Sequence, residues 1–335
     1  MFIISFFTKL LHYFPEEVSH HIALKGLKLF YFLGLLKFFF KENKPDPDMK
    51  HKDITSLSNQ VGIAAGLDKN GDYIDCLAAL GIDFIEIGTV TPKPQKGNPK
   101  PRLFRDLKEK SLINRLGFNN KGVDYLVSRL GSRKSNVIVG TSIGKNFDTP
   151  NKFASRDYIY CLDKVYSLSD YVAVNISSPN TKDLRELSST EYLNLLLKDI
   201  KDAQERLSVY HGYKPIFIKI SPDEKYDDLK TICKSILANN IDGIICSNTT
   251  INHNNKNGSG GLSGNPLKDK ATKTLIDVKS IVGNSIKLMA SGGVITVADY
   301  NEKIDSGADF VQIYTGFIYA GPKLIHDILN SKKGQ

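Results

Sequence analysis

Two kinds of hydrophobic patterning alternate from residue 61 onward. Short, nearly continuous apolar runs rich in Val, Ile and Phe occur at Val61–Ala65, Asp83–Thr89, Val137–Ser142, Tyr171–Ile176, Ile216–Ile220, Gly243–Ser247, Ile286–Ala290 and Phe310–Tyr314. Runs of this length without alternation suit strands buried on both faces. Between them lie segments with helical spacing, such as Tyr73–Leu80, Val123–Leu130, Tyr158–Leu168, Glu191–Leu207, Tyr226–Ala238 and Lys268–Val282. Eight strands alternating with helices predict a (β/α)8 TIM barrel; a doubly wound open sheet is the alternative that strand count alone leaves open. The surplus over a typical barrel of about 250 residues falls in three long connections, 90–119, 177–189 and 248–267. The first is proline-rich and predicts a small β-hairpin. The third contains the glycine-rich stretch Gly258–Gly264, which follows a polar loop and predicts a mobile lid.

The first forty residues follow a different pattern. Met1–Phe14 and Leu27–Phe40 are two apolar, aromatic runs of 14 residues, and nine of the 17 Phe lie in residues 1–40. A helix of that length spans about 21 Å, short of the ~30 Å hydrocarbon core of a bilayer. Lys9, Lys28 and Lys37 interrupt the runs further. A secretory signal is also a poor match, because a basic start and a small-residue cleavage site are missing. Pro15-Glu16-Glu17 suits the first turn of a second helix. The expectation is two helices, over 3–12 and 16–39, forming an extension (1–44) to the barrel (45–335), with the polar, proline-stiffened stretch Asn43–Asp48 between them. Their aromatic faces can pack on the barrel, lie in a membrane interface with Lys at the rim, or do both.

Charge and cysteine narrow the class. The chain of 335 residues carries +9, but the excess is spread out, with no Lys/Arg block of the kind found in nucleic-acid arms. Attraction to anionic lipid or an anionic substrate is the sharper reading. The four cysteines, 76, 161, 233 and 246, show no CxxC spacing, which fits a reducing compartment. No His/Cys/Asp/Glu group has metal-ligand spacing.

Barrel enzymes place chemistry at the C-terminal ends of their strands. Here those ends carry Lys69 (just past the first), Thr89, Ser142, Asn175, Lys219, Ser247-Asn248-Thr249, Ser291-Gly292-Gly293 and Tyr314-Thr315-Gly316. A hydrogen-bonding side chain at every end predicts a ring around a polar ligand. Gly292-Gly293 and Thr315-Gly316 sit where barrels commonly hold a phosphate. Lys219 closes an apolar run and needs an anionic partner. Asn114, Asn175, Asn180 and Asn248 offer donor and acceptor together, as an amide-edged ring such as a pyrimidine requires. None of the seven His ends a strand, which leaves Ser178 as the candidate proton acceptor.

These residues lie in motifs that are specific as a set: AAGLDKNG (64–71), INRLGFNN (113–120), NISSPNT (175–181), SNTT (247–250), GGLSG (260–264) and VQIYTGF (311–317), with EIGTVTPKPQ beginning at Glu86 and PRLFR ending at Arg105. Through them the chain resembles the class 2, quinone-dependent dihydroorotate dehydrogenases, from the N-terminal helices to about Pro322. The resemblance implies an FMN-bearing barrel that oxidises dihydroorotate to orotate in pyrimidine synthesis and passes electrons to a ubiquinone-type quinone. The enzyme would sit peripherally at the cytoplasmic face of the membrane, attached through residues 1–40.

Carried over by motif position, Ala65, Gly66, Lys69, Thr89, Ser142, Asn175, Lys219, Ser247, Gly264, Gly293, Tyr314 and Thr315 are expected to hold FMN. Lys69, Asn114, Arg115, Leu116, Gly117, Phe118, Asn175, Asn180, Asn248 and Thr249 are expected to hold the substrate. Ser178 falls on the catalytic base, which would take the C5 proton while the C6 hydride goes to flavin N5, and Arg105 falls at the quinone end of the tunnel. The soluble class has Cys at the base position; Ser178 and the helical extension agree with each other. Two positions depart from the pattern, Ser142 in place of Asn and Ser247 in place of Thr.

Overall fold

The computed structural model describes residues 8, 10–40, 54, 59–181, 184–188, 190–255 and 257–332. Eight parallel strands close into a barrel: β1 (Gln60–Ile63), β2 (Phe84–Val90), β5 (Ile138–Ile143), β6 (Tyr171–Asn175), β7 (Ile216–Lys219), β8 (Gly243–Cys246), β10 (Lys287–Ser291) and β11 (Phe310–Ile313), with β11 pairing back to β1. All eight expected runs became strands, and closure rules out the open sheet. The helices Tyr226–Ala238 and Lys268–Val282 begin and end where their periodicity predicts.

Inward positions explain why the barrel is sealed below and open above. Near its N-terminal end, Phe84, Tyr171, Phe217 and Phe310 meet edge-to-face with ring centroids 5.5–6.3 Å apart. Glycine at the paired position of the adjacent strand makes room for each of three of these rings: a Cβ on Gly140 would lie 2.0 Å from the Tyr171 ring, and one on Gly62 or Gly243 2.3 Å from Phe84 or Phe217. Above this aromatic plug the inward residues turn polar, with Glu86 and Gln312 first and then Asn175, Lys219, Ser247 and Ser291. That change of polarity places the ligand site at the C-terminal mouth.

The hairpin expected in 90–119 forms from β3 (Leu103–Asp106) and β4 (Ser111–Asn114). The lid expected at 258–264 is corrected, since Gly261–Gly264 is a buried strand, β9, paired antiparallel to β4. Small residues let it pass closely; a Cβ on Gly261 would lie 2.1 Å from Thr249 Oγ1, and one on Gly264 2.2 Å from the Lys110 carbonyl. The expected helix over 16–39 is shorter, α1 (Glu16–Phe32), followed by a 3-10 turn at Leu36–Phe38. Gly34 at φ +68° stops it, with Leu35 N–H donating back to the Phe30 carbonyl at 3.0 Å, a helix-ending arrangement that glycine favours. Of the helix expected over 3–12, residues 3–7 and 9 lie outside the described residues, while Thr8, Leu10 and Leu11 are helical. The expected linker and the boundary at 44 also lie outside them.

The aromatic segment packs on the barrel along part of its surface only. Leu24, Leu36 and Phe40 are buried in the main core, whereas Phe32, Leu33 and Phe38 are 72, 61 and 76 % exposed. Polar contacts fix the segment to the barrel: Glu17 pairs with Arg102, the Glu16 carboxylate accepts from Arg105 N–H at 3.2 Å, and Lys28 Nζ donates to the Asp72 carbonyl at 2.9 Å.

Candidate active site

The loops after the strands enclose one polar cavity at the barrel mouth. Of the residues singled out from sequence, Ala65, Gly66, Lys69, Thr89, Asn114, Leu116, Gly117, Phe118, Asn175, Ser178, Asn180, Lys219, Ser247, Asn248, Thr249, Gly264, Gly293, Tyr314 and Thr315 line it. Its charged lining is Lys69 and Lys219, with no carboxylate, so the site is built for negative charge.

Hydrogen bonds tie the strand ends together. Asn175 Nδ2 donates to Thr89 Oγ1 at 3.0 Å, and Asn248 Nδ2 to Ser177 Oγ at 3.1 Å and Asn175 Oδ1 at 3.3 Å. Opposite, Asn180 Nδ2 donates to Asn114 Oδ1 at 2.9 Å, while Asn114 Nδ2 reaches the Gly261 carbonyl at 3.2 Å. The amides are thus pre-oriented in pairs, which lowers the ordering cost of gripping a ring. Ser178 is 6 % exposed, and its Oγ accepts the Asn180 N–H at 3.4 Å. Lys69 Nζ donates to Asn119 Oδ1 at 2.8 Å. Burial, and next the Arg102 charge, lower its ammonium to about 7, with Glu17 opposing.

Two expected residues stand apart. Ser142 is fully buried, and its hydroxyl meets Thr89 Oγ1 at 2.9 Å, so it acts on the cavity through Thr89. Arg115 turns away. Its guanidinium bonds the Asn257 and Ser259 carbonyls and lies 4.7 Å over the Phe104 ring, because the turn at Gly117 and Phe118, both at positive φ, aims Leu116–Phe118 inward. Sequence reading missed Asn119, Ser263 and Gln312. Gln312 has the same strand parity as Tyr314, a signal that could have found it.

The cavity poses a fit test for a flavin nucleotide. The Lys219 residue is 6 % exposed, and its ammonium makes no hydrogen bond or ion pair among the described residues; burial lowers it, and the Glu86 charge opposes this. Gln312 also lines the cavity, and its buried Oε1 has no partner. A cation without an anion and an unpaired amide oxygen on residues of one lining, with Gly292 and Gly293 leaving backbone accessible, fit an amide-edged ring carrying an anionic tail.

A second cavity of ≈ 490 Å³ lies between the N-terminal helices and the barrel. Its lining is mostly apolar, including Leu11, Phe30, Phe39, Leu67 and Phe317, with Arg105 and His20 among the few polar groups. Arg105 Nη1 donates to the His12 carbonyl at 2.9 Å, and its buried Nε has no partner. Burial, then His21 and Lys69, lower His20 to about 4, so it stays neutral. The two cavities share a wall: Ser263 Oγ and Thr315 Oγ1, 2.8 Å apart, face the first, while Leu112 and Phe317 face the second.

Comparison with known proteins places this geometry. The family model described as dihydroorotate dehydrogenase matches residues 51–333. A dihydroorotate dehydrogenase (quinone) of Saccharophagus degradans is 45% identical over 328 residues, 96% of either chain. That of Vibrio parahaemolyticus is 43% identical over 322 residues, 94% of this chain and 95% of its own. The crystal structure of DHODH in complex with ferulenol from Eimeria tenella superposes with a TM-score of 0.82 at 33% identity, covering 96% of this chain and 93% of that one.

Proposed function

Because the chain belongs to the dihydroorotate dehydrogenase family, in its quinone-dependent class, we propose that it oxidises dihydroorotate on FMN held in the polar cavity and delivers the electrons to a quinone in the apolar one. The observation that carries this reading is the shared wall between a carboxylate-free polar cavity and an apolar cavity under the helices. When bound, FMN would supply the two-electron acceptor that the side chains lack.

The side chains divide the remaining work. Lys219, Thr89, Asn175 and Ser247 would hold the flavin ring, with Gly293 and Thr315 at its phosphate. Lys69 would grip the substrate carboxylate, and the paired amides of Asn114, Asn180, Asn175 and Asn248 would fix the pyrimidine edges. Ser178 Oγ would take the C5 proton. A serine hydroxyl is a weak base near neutral pH, so it relies on its buried position and on orientation of the substrate. The exposed Phe32, Leu33 and Phe38 would rest in a membrane interface beside the quinone cavity; no helix among the described residues is long and apolar enough to cross a membrane.

The test is an anaerobic visible spectrum before and after adding dihydroorotate. The flavin band should bleach in the native chain. In Ser178→Ala it should bleach at least about a hundredfold more slowly, the usual scale of a lost proton acceptor, with orotate affinity little changed. A band that does not bleach in the native protein rejects the dihydroorotate reading, and bleaching at an unaltered rate in the variant removes Ser178 from its role.

A further inference from the structure

Glu86 lies on the inward face of β2, one level below the polar cavity, and is wholly excluded from solvent. It is the one buried glutamate among the described residues. Its Oε2 accepts from Gln312 Nε2 at 2.6 Å and from Tyr171 Oη at 3.1 Å, while Oε1 has no partner. Two donors thus converge on one oxygen of the side chain and none on the other. Lys219 is the complementary case, a buried ammonium with no hydrogen bond or ion pair among the described residues and with Glu86 as the charge that acts on it. Two isolated charges in a barrel interior are each costly, and each lowers the other's cost even without direct contact.

We propose that Glu86 is the buried counter-charge of Lys219, a positioning residue that sets the electrostatic potential beneath the flavin and so the balance between its oxidised and reduced forms. This rests on the flavin reading above. Electrons added to a flavin raise its negative charge. Lys219 favours the reduced form, and a Glu86 carboxylate partly offsets that pull and keeps the electrons transferable to quinone. Gln312, which bonds Glu86 and also lines the cavity, holds the carboxylate in register.

The experiment has two arms. In Glu86→Gln holoenzyme, the flavin reduction equilibrium against a reference dye should move at least tenfold toward the reduced form, about 30 mV for a two-electron couple. Lys219→Gln should move it the opposite way, and the double variant should lie between. A residue kept for packing alone would leave the equilibrium where it is, and an unchanged value in Glu86→Gln overturns the proposal. The second arm uses the native chain labelled with carbon-13 glutamate, in infrared spectra at mildly alkaline pH. A carboxylate at Glu86 leaves no labelled protonated-carboxyl stretch, whereas finding that band overturns the proposal even if the variant does not fold. Absence of flavin from the protein would sink the functional reading instead, and the infrared arm would still report on Glu86.

Discussion

Replacing Glu17 by alanine separates the two ends of the proposed electron path. Glu17 accepts two bonds from Arg102, at 3.1 Å from Nε and 3.0 Å from Nη2, and lies 3.4 Å from Lys100 Nζ. The Lys100 side chain is 64 % exposed, so that contact contributes little. The Arg102 and Glu17 side chains are 8 and 20 % exposed, closer to a buried pair, for which loss of one partner costs about 3–5 kcal/mol. Arg102 keeps the carbonyls of Lys96 and Asn98, at 2.6 and 3.0 Å, which reduces the expected loss to about 1.5–3 kcal/mol, the range for a hydrogen bond to a charged group. That is roughly a ten- to hundredfold shift in docking of the helix Glu16–Phe32 onto the barrel.

Burial alone would raise the Glu17 carboxyl, but Arg102 and then Lys100 outweigh it and hold it below the usual carboxylate range. With the folded value depressed, its contribution is full above the unfolded carboxylate value and is lost as pH falls through the folded one. Helix docking in the native chain should therefore weaken in acid, and the variant should lack that transition. In anaerobic stopped flow, bleaching by dihydroorotate should stay within about twofold of native, while reoxidation by a soluble quinone should slow about tenfold or more; cleavage near Gly34 should rise. Equal slowing of both half-reactions, or unchanged cleavage and reoxidation, would refute the reasoning.

Other outcomes follow from the same contacts. Lys69 is lowered to about 7 by burial first and Arg102 second, so orotate affinity should be flat below that pH and weaken about tenfold per pH unit above it; titration of Lys69→Met should show no such slope. Asp223 gathers Arg185 at 2.8 Å, Thr250 at 2.5 Å, Ile251 N–H at 2.9 Å and Lys270, and Arg185 passes the grip to the Ser177 and Thr249 carbonyls. Asp223→Asn should raise KM for dihydroorotate about tenfold or more with a smaller loss in kcat, and should make the segment Leu184–Ser188 more open to proteolysis unless orotate is present; an unaltered KM would deny the clasp.

The barrel was legible because burial of a parallel strand on both faces leaves a local mark, a short continuous apolar run such as Ile216–Ile220. The helices Tyr226–Ala238 and Lys268–Val282 were legible for the same reason, their apolar positions recurring within a few residues. Most of the polar cavity could be named because strand ends must converge once a barrel closes, which places Thr89, Asn175 and Lys219 together whatever their separation along the chain. Other features carried no local mark. Gly261–Gly264 has no alternation to announce a strand, and it becomes one because β4, some 150 residues earlier, offers an open edge. Arg115 sits within a motif whose neighbours face the cavity, yet backbone turns at Gly117 and Phe118 direct it to the 257–259 carbonyls. Glu86 carries no mark of its partners in the sequence, and only closure brings it against Gln312 and Tyr171 in the interior. Apolar periodicity specifies which face of an element is buried, since that depends on neighbours a few residues away. Which side chains then meet depends on how the buried faces close on one another, and that is decided by packing of the whole chain.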